Sequence, residues 1–407
     1  MNDSVQTRNC ASQQSTQMQK TGIPAGWREV KFSDFCDITR GGSPRPIHNY
    51  IAATGTPWVK IADATESNSR YITKTKEFIR PDGESKSRVV YPGDFIVSNS
   101  ATPGLPRFMK IRACIHDGWL LLRNIRDVDK MFLYYLVLTE RNSILVQGSG
   151  TIFTNLKTDI LKNHKVLLPP LPEQKAIAEV LSSLDDKIDL LHRQNKTLED
   201  MAQALFRKRF IDEANEGWES GTLSSEFDFT MGQSPPGSSY NEIEEGVPMF
   251  QGNADFGFRF PQNRIYTTEP KRMAEKFDTL ISVRAPVGEQ NMAQERCCIG
   301  RGVSAFRYRY NSGFYTYTYF KLKSLMGEIK QFNNSGTVFG SISKKDFENL
   351  EIIIPPQDVI SKFQEVVKPM DDKIIFNQSK IRTLENLRDT LLPKLMSGEV
   401  RVKDFNK

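Results

Sequence analysis

The sequence lacks several features that would assign it to a protein class at once. No stretch of eighteen or more residues is apolar throughout, so it predicts no membrane-spanning helix. The N-terminus has no apolar core of a secretory signal, and its Ser- and Gln-rich composition predicts a disordered tail over 1–20. Cysteine is scarce, and the five present form no C-x-x-C pair, which indicates reduced thiols in a cytosolic protein and no disulfide framework.

Motifs for catalysis and cofactor binding are also missing. There is no Gly-Lys dipeptide and hence no P-loop, no G-x-G-x-x-G after a predicted strand, and no G-x-S-x-G around the two Ser-Gly-Thr triplets. The Asn-Pro-Pro-aromatic and Asp-Pro-Pro-aromatic motifs of amino-methyltransferases are absent. The four histidines are scattered without metal-ligand spacing. We therefore predict no catalytic residue, no metal site and no cofactor on this chain, and expect it to bind rather than to catalyse.

The chain does contain enough residues for several domains and a mild positive charge. Its 407 residues allow two or three domains, and 38% hydrophobic and 26% charged residues are typical of a globular protein. The net charge is +6, with 21 Lys and Arg against 14 Asp and Glu in 21–168, and 15 against 7 in 250–345. This excess is compatible with a polyanion such as nucleic acid, and equally with an ordinary solvated surface.

An internal repeat is the main signal in the sequence. With a shift of 186 residues, positions 149 to 205 contain 17 identities without a gap, where chance gives roughly three or four. The matched motifs are Ser-Gly-Thr-x-Phe at 149–153, Pro-Pro at 169–170, Asp-Asp-Lys-Ile at 185–188 and Thr-Leu-Glu at 197–199.

The repeat continues upstream with small insertions. "GWREVKFSDFCDITRGGSPRP" from Gly26 resembles "GWESGTLSSEFDFTMGQSPPG" from Gly217, and "GDFIVSNSATPG" at 93–104 resembles "FDTLISVRAPVG" at 277–288. The chain is therefore a tandem of two units, each a globular part followed by a long helix.

Both long helices carry a heptad seam. From Ile177 to Leu205 the seam positions recur at alternating steps of four and three, which predicts a coiled coil. The proline-rich stretch at 169–172 marks the helix entry, where proline is tolerated. The second copy is degraded, and we expect Pro369 to kink or interrupt its first turns and Pro393 to end it near Leu392.

One asparagine in each seam indicates how the helices pair. A parallel pairing in repeat register places Asn195 beside Ile381 and Asn377 beside Leu191, so that both amides lack a polar partner. An antiparallel pairing places Asn195 against Asn377, and paired polar seam residues are known to set register. We predict this antiparallel pairing, with a rod of roughly 50 Å that acts as a spacer. The alternative is that both asparagines lie at the solvent edge of a larger bundle.

The globular parts are predicted to be α+β. Short runs rich in β-branched residues indicate strands ("DFIVSNS", "KVLLPP", "TLISVRA", "LEIIIPP"), and 129–145 and 312–329 are expected to be helices packed on the sheets. The predicted fold is two globular α/β-type domains separated by two long antiparallel helices that form an intramolecular coiled coil, with an internal pseudo-two-fold repeat. The predicted boundaries are a tail over 1–20, domains over 21–168 and 211–354, and helices over 169–210 and 355–400.

Several of these motifs together are typical of one family. The pattern Pro-Pro-Leu-x-Glu-Gln-x-x-Ile-Ala, here "PPLPEQKAIA", is the most specific, and "QGSGTIFTNL", the "GGSPRP" opening and the half-chain duplication accompany it. From Gly26 to about Val400 the chain resembles the specificity (S) subunits of type I restriction–modification systems. The second copy departs from the pattern, because it reads "PPQDVISKF" and lacks Leu-x-Glu-Gln.

The resemblance implies a division of labour in a prokaryotic cytoplasmic complex. Two target-recognition domains each read half of a bipartite double-stranded DNA site, and the coiled coil sets the spacing. Two methyltransferase (M) subunits with S-adenosylmethionine flip and N6-methylate an adenine in each half. Restriction (R) motor-nuclease subunits, with ATP and Mg, add translocation and cleavage. The weaker second repeat is expected to contact its M subunit differently, or to start its helix later.

Candidate DNA contacts follow from position and side-chain chemistry. Arg, Asn and Gln in the loops are expected to read base edges, and Lys to hold phosphates. Each residue is equally compatible with a plain surface role, and Gly150 and Gly336 with shaping a turn. The candidates in the first domain are Lys60, Arg70, Lys74, Lys76, Arg80, Lys86, Asn99 and Arg107. Those in the second are Gln251, Asn253, Arg259, Arg264, Lys271, Arg272, Arg284 and Asn291.

Two other functions remain open at this point. A coiled-coil scaffold or adaptor with two protein-binding heads has the same helix pattern. A stand-alone DNA methyltransferase is disfavoured by the missing motifs. Binding to duplex DNA in the presence of an M subunit distinguishes the specificity subunit from the scaffold.

Overall fold

The computed structural model describes residues 23–66, 69–146, 155–333 and 340–402. The tail predicted over 1–20 and the two Ser-Gly-Thr triplets, including Gly150 and Gly336, lie outside these residues. The chain divides into two compact units. The first consists of Met1–Leu191 and Lys380–Lys407, and the second is the single segment His192–Ser379. The predicted domain boundaries, which separate the helices from the globular parts, stay a prediction.

The first unit contains two five-stranded sheets and a two-stranded sheet among its described residues. The strand orders are β3-β6-β4-β10-β7, β2-β11-β8-β9-β5 and β1-β12, and both larger sheets mix parallel with antiparallel pairs. The strands are β1 Arg28–Lys31, β2 Asp37–Arg40, β3 Ile51–Ala52, β4 Thr56–Val59, β5 Tyr71–Ile72, β6 Glu77–Ile79, β7 Arg88–Val90, β8 Phe95–Ser98, β9 Pro106–Met109, β10 Ala113–Ile115, β11 Trp119–Arg123 and β12 Lys165–Leu168.

Helices of the first unit begin at residues suited to helix starts. Asp129 caps one of them, because its carboxylate accepts hydrogen bonds from the backbone N–H of Met131 at 2.9 Å and of Phe132 at 3.0 Å. The long helix begins directly after the Pro169-Pro170 pair and passes into the second unit. The helices are α1 Phe32–Phe35, α2 Ile61–Thr65, α3 Lys130–Leu145, α4 Thr158–Asn163 and α5 Leu171–Arg207, which a π-helical turn at Lys208–Asp212 continues.

The second unit repeats this plan. Its sheets have the orders β15-β17-β16-β21-β18, β14-β22-β19-β20 and β13-β23. The strands are β13 Glu219–Thr222, β14 Phe227–Met231, β15 Tyr240–Asn241, β16 Val247–Phe250, β17 Tyr266–Thr267, β18 Met273–Ala274, β19 Thr279–Ser282, β20 Gln290–Met292, β21 Cys297–Ile299, β22 Val303–Tyr308 and β23 Glu351–Ile354. The helices are α6 Leu223–Glu226, α7 Tyr315–Ser324, α8 Met326–Ile329, α9 Lys344–Glu348 and α10 Gln357–Ser397.

The long helices form part of each unit's core. In the first unit, Ile177 and Leu181 of α5 are fully buried in one cluster with Phe132 and with Leu395 of α10. In the second, Phe206 of α5 is buried together with many aromatic side chains of the sheets and of α7. Burial of each such side chain contributes about 1.5–3 kcal/mol, so the packing that builds each unit also holds its helical segments.

The two long helices pair in the antiparallel sense within each unit. In the first unit, Ile188 and Leu191 of α5 pack with Ile381 of α10, and Asp185 lies further along, 3.1 Å from Arg388. Along this contact the residue numbers decrease on α5 while they increase on α10, so the two helices run in opposite directions. The predicted α+β fold with two long antiparallel helices is confirmed. None of the described helices is apolar over a length that could cross a bilayer.

The interruption predicted at Pro369 and the helix end predicted near Leu392 were wrong, whereas a kink at Pro369 stays a prediction. The helix runs without interruption from Gln357 to Ser397, through Pro369 and past Pro393. Each proline removes one backbone hydrogen bond, but tertiary packing compensates for the loss. Val367 and Ile374 on either side of Pro369 are fully buried in the second unit, and Leu395 beyond Pro393 is buried in the first.

Repeated acidic residues join the helices to the sheets. In the first unit, Asp185 accepts a hydrogen bond from the Tyr135 hydroxyl at 2.6 Å, and Asp186 binds the buried guanidinium of Arg70. In the second unit, Asp371 lies 3.2 Å from the Arg259 guanidinium, and Asp372 accepts from the hydroxyl of a tyrosine in α7 at 3.2 Å. The repeated Asp-Asp-Lys-Ile motif therefore anchors each globular part to its helix.

The Pro-Pro-Leu-x-Glu-Gln motif has a similar structural use. Glu173 accepts hydrogen bonds from the Trp27 indole at 3.2 Å and from Arg401 at 2.5 Å. Gln174 is buried, accepts from the backbone N–H of Asp129 at 2.9 Å and donates to the carbonyl oxygen of Pro169 at 2.9 Å. The start of α5 is thus held against α3 and against the N-terminal strand region.

Candidate DNA interface

Four loops of the second unit meet at the ends of their strands and enclose a polar cleft. They follow β14, β16 and β19 and connect β21 to β22. The cleft has a volume of about 610 Å³. We name it the arginine cleft, and its lining side chains include Ser234, Tyr240, Gln251, Asn253, Arg284 and Arg301.

Hydrogen bonds hold the polar groups of the arginine cleft in place. Ser234 donates to Gln251 Oε1 at 2.8 Å, and Gln251 Nε2 donates to the Tyr240 hydroxyl at 2.6 Å. Ser234 Oγ in turn accepts from the backbone N–H of Arg301 at 3.3 Å and from its Nε at 3.4 Å. Arg284 and Arg301 are both exposed, so the cleft presents two guanidinium groups to solvent.

Gly232 precedes Ser234 in the loop after β14, and a close approach of two backbone segments explains why a glycine stands there. A Cβ atom at Gly232 would overlap the carbonyl oxygen of Gly300 in the β21–β22 connection. The absence of a side chain therefore lets the loop after β14 lie directly against that connection, which brings Ser234 to Arg301.

The first unit builds the same loop arrangement with different side chains. Ser43 donates to Asp117 Oδ1 at 2.6 Å, and Arg45 lies 3.2 Å from Asp117 Oδ2. Asn99 donates to the backbone carbonyl of Asp117 at 3.0 Å. We name these residues the aspartate cluster. The pKa of Asp117 is lowered from its ordinary value, and the main cause is the hydrogen bond that Ser43 donates. This carboxyl group is therefore ionised at neutral pH.

Three of the predicted contact residues lie together in the arginine cleft: Gln251, Asn253 and Arg284. Several other members of the two sites were not among the predicted contacts: Ser43, Arg45, Asp117, Ser234, Tyr240 and Arg301. The repeated Gly-x-Ser-Pro motif carried the signal for the serines. The short connection before β22 carried no such signal, because neither of the strands that flank it was among the predicted runs.

Five predicted contact residues are buried, and their positions indicate structural roles. Arg70 is 4% exposed and bound by Asp185 and Asp186. The guanidinium of Arg107 donates to the carbonyl oxygens of Ala64 and Pro106, and Arg259 is enclosed by carboxylates. Buried side chains bound in this way do not offer their donors to a base, and we remove these five from the DNA-contact set: Arg70, Asn99, Arg107, Arg259 and Asn291.

The remaining predicted contacts lie on the surface of their units. Four of these cations are exposed and form ion pairs, of which only the last has a largely buried carboxylate: Lys60 with Glu77, Lys76 with Glu66, Arg80 with Asp82, and Arg264 with Asp255. Lys86 lies over the Tyr50 ring, 4.8 Å from its centre. Exposed ion pairs contribute little to stability and exchange partners easily. The other exposed cations are Lys74, Lys271 and Arg272.

Comparison with known proteins shows the family of the chain. Residues 24–200 and again residues 215–386 match the family described as "Type I restriction modification DNA specificity domain". The chain belongs to this family. Each of the two matches of this type I DNA specificity protein covers one set of the strand-end loops.

Its relatives carry consistent names. The specificity protein is 31% identical over 414 residues to a protein of Methanocaldococcus jannaschii assigned as the MjaX specificity subunit of a type I restriction enzyme, with coverage of 94% of this chain and 95% of the relative. It is 26% identical over 421 residues, with the same coverage, to the type I restriction enzyme MjaIX specificity subunit of the same organism.

A solved structure supports the fold of this specificity protein. The type I restriction–modification S subunit from M. genitalium superimposes with a TM-score of 0.61 at 21% identity, covering 91% of this chain and 96% of that one. The family resemblance expected from the sequence is therefore confirmed, and DNA specificity is favoured over the adaptor alternative. The role of the chain is DNA recognition.

Proposed function

We propose that the chain is the specificity subunit of a type I restriction–modification complex, in which each unit reads one half of a bipartite DNA site. The observation that carries this proposal is the pair of DNA-specificity matches, each covering loops that present polar side chains at strand ends. Loops held on a rigid sheet suit recognition, because their side chains are positioned before the ligand arrives.

Two kinds of contact divide the work of binding. Exposed cations in the loops would neutralise phosphates and fix the position of each unit on the duplex. The acidic partners of Lys76 and Arg80 are exposed, so that exchange of these carboxylates for a phosphate costs little. The exposed side chains of the arginine cleft and of the aspartate cluster would contact base edges, where donors and acceptors distinguish the base pairs.

The proposal includes partners that carry the chemistry. Two methyltransferase subunits with S-adenosylmethionine would methylate an adenine in each half-site, and restriction subunits with ATP and Mg would translocate and cleave. We assign no cofactor to this chain, and we place the complex in the prokaryotic cytoplasm, where the chromosome is accessible. The paired helices would set the distance between the two half-sites.

The test is methylation by the reconstituted complex. The chain and the methyltransferase subunit of the same system are co-expressed in a host that lacks adenine methylation, and methylated bases are mapped across the genome. We expect one bipartite sequence with an adenine modified in each half. The methyltransferase subunit expressed alone is the control and is expected to leave that sequence unmodified. Methylation at the same sequence without this chain, or at a continuous unsplit site, would contradict the proposal.

A further inference from the structure

The two loop sites share one backbone frame. In the first unit, the backbone N–H of Gly41 donates to the carbonyl oxygen of Trp119 at 2.8 Å, and in the second that of Gly232 donates to Val303 at 2.9 Å. Each unit also has a serine two residues after this glycine. The backbone N–H of Asp117 donates to Ser43 Oγ at 3.3 Å, and that of Arg301 donates to Ser234 Oγ at 3.3 Å. Asp117 and Arg301 therefore occupy equivalent positions.

The side chains at this shared position have opposite charge. Asp117 is an acceptor held by a serine hydroxyl, whereas Arg301 is a donor whose Nε lies 3.4 Å from Ser234 Oγ. The second residue after β8 is Ser100, and the equivalent residue after β19 is Arg284. At the position of Asp117 and Arg301, the same frame thus presents a carboxylate acceptor in one unit and a guanidinium donor in the other.

Both side chains are available to a ligand. Arg301 and Arg284 are exposed and line the same cleft. The Asp117 side chain is 39% exposed, and the Arg45 side chain that pairs with it is 75% exposed, so a ligand can displace this ion pair at small cost. The serine bonds meanwhile hold the backbone of each position, and substitution of the charged group leaves that frame in place.

We propose that Asp117 and Arg301 are equivalent specificity-determining residues that select bases of opposite hydrogen-bonding character. Arg301, supported by Arg284, donates to O6 and N7 of a guanine in the half-site that the second unit reads. Asp117 accepts from an exocyclic amino group, cytosine N4 or adenine N6, in the half-site of the first unit. This inference rests on the proposed function and adds which chemistry each unit reads.

The experiment maps methylated sites for the complex of the chain with its methyltransferase subunit, using the wild type and single variants. Arg301→Ala is expected to relax one guanine position in one half-site and to lower discrimination there about 5- to 150-fold, while the other half-site stays unchanged. Arg301→Lys keeps the charge and loses the two-pronged geometry, and is expected to relax the same position partially.

Asp117→Ala is expected to relax one position in the opposite half-site. Asp117→Asn retains an oxygen for Ser43 and tests the same position without loss of the local hydrogen bond. The wild-type site shows whether that position is cytosine or adenine. Arg309→Ala is the matched control, because Arg309 is a half-exposed arginine at the far end of β22, paired with Asp228. It is expected to leave the methylated sequence unchanged.

Three outcomes would overturn the inference while leaving the proposed function intact. One is a bipartite wild-type site without a guanine in the half that Arg301 variants affect. The second is an unchanged sequence for Arg301→Ala or for both Asp117 variants. The third is relaxation of both halves by one variant. A wild-type complex that methylates no bipartite site would instead refute the proposed function itself.

Discussion

Arg259 joins several parts of the second unit through one guanidinium group. It lies 3.2 Å from Asp371 of α10 and 3.4 Å from Glu199 of α5, and its guanidinium carbon is 3.9 Å from the centre of the Tyr319 ring. Glu199 also binds Lys323 of α7. A buried cation is tolerated here because two carboxylates and an aromatic face replace the lost water.

We predict that Arg259→Ala lowers the free energy of unfolding by about 3–5 kcal/mol, because it leaves the buried carboxylate of Asp371 without its cationic partner. Denaturant unfolding of the purified chain measures this effect. Arg296→Ala is the control, since its side chain is exposed and pairs with an exposed Glu275, and its effect is expected to stay within about 0.5 kcal/mol. An equally small effect for both variants would show that the Arg259 network does not stabilise the unit.

Glu226 is a second buried charged residue, and it makes stability depend on pH. Its side chain is fully buried and accepts a hydrogen bond from Tyr317 at 2.6 Å. Burial raises the pKa of Glu226 from 4.5 to about 7, although Lys321 and the Tyr317 hydroxyl act in the opposite direction. The folded protein therefore holds this proton more tightly than the unfolded chain does.

Glu226 contributes fully to the free energy of unfolding below about pH 4.5, and this contribution is lost as the pH rises through about 7. The total loss is roughly 3 kcal/mol. We predict that Glu226→Gln removes this slope and makes the protein more stable than the wild type at pH 8. Unfolding midpoints between pH 5 and pH 8 test the prediction, with the exposed Glu219→Gln as control. A slope that persists in Glu226→Gln would assign the pH dependence to another group.

Much of the element level could be predicted from the sequence. The heptad pattern located both long helices, because side chains on one helical face recur at fixed spacing. The runs "DFIVSNS", "KVLLPP", "TLISVRA" and "LEIIIPP" became β8, β12, β19 and β23, because short β-branched runs between turn residues suit strands. The uninterrupted α10 could not be predicted, since local propensity at Pro369 and Pro393 is overridden by packing that no local pattern contains.

The candidate site was harder to predict than the fold. Loop residues have no periodicity, so side-chain chemistry alone does not separate the exposed Arg284 from the buried Arg259. The three predicted contact residues that line the arginine cleft, Gln251, Asn253 and Arg284, lie one to three residues after strand ends, where a buried run stops and polar residues follow. Arg301 was missed because it lies in a two-strand connection that the strand patterns left unmarked.

The seam asparagines lie together inside the second unit. Asn377 Nδ2 donates to Asn195 Oδ1 at 2.8 Å, and both side chains are almost fully buried. A polar pair in an apolar seam fixes register, because any shift of the helices would place each amide against hydrocarbon.

Single substitutions at this pair are expected to cost more than the double substitution. We predict that Asn195→Leu or Asn377→Leu alone lowers the free energy of unfolding by about 1–3 kcal/mol, because the remaining amide is buried without its partner. The double variant is expected to regain most of this loss. Denaturant unfolding of all four proteins measures the coupling, and simple additivity of the two losses would contradict the prediction.

At the scale of the whole molecule, one repeated plan yields two units with different surfaces. The shared parts are the strand orders, apart from the edge strand β5 that only the first unit has among the described residues, the acidic anchors on the helices and the glycine–serine loops. The differing parts are the side chains on those loops. Cores and anchors must satisfy packing in both units, whereas exposed loop positions change at little cost in stability.

The contact between the start of the first unit and the end of α10 has a consequence for chain connectivity. Arg401 donates to the carbonyl oxygen of Ala25 at 3.1 Å, and a Cβ at Gly398 would lie 2.7 Å from Pro24. In the second unit the corresponding step, from the end of α5 to Gly217 and Trp218, is continuous chain, with Phe210 and Trp218 in ring contact at 6.2 Å. The junction between the end of a long helix and the start of a globular part is thus a non-covalent contact in the first unit and continuous chain in the second.

We therefore predict that a circular permutant, with residues 402 and 23 joined by a short linker and new ends at the exposed stretch 213–217, retains the fold and directs methylation of the same bipartite sequence. Mapping its methylated sites tests this, and a permutant opened within β22 is the control that is expected to fail. If this prediction holds, the polypeptide behaves as a cyclic sequence that can be opened at either of two equivalent junctions, so that the order of its two readers along the gene can be reversed.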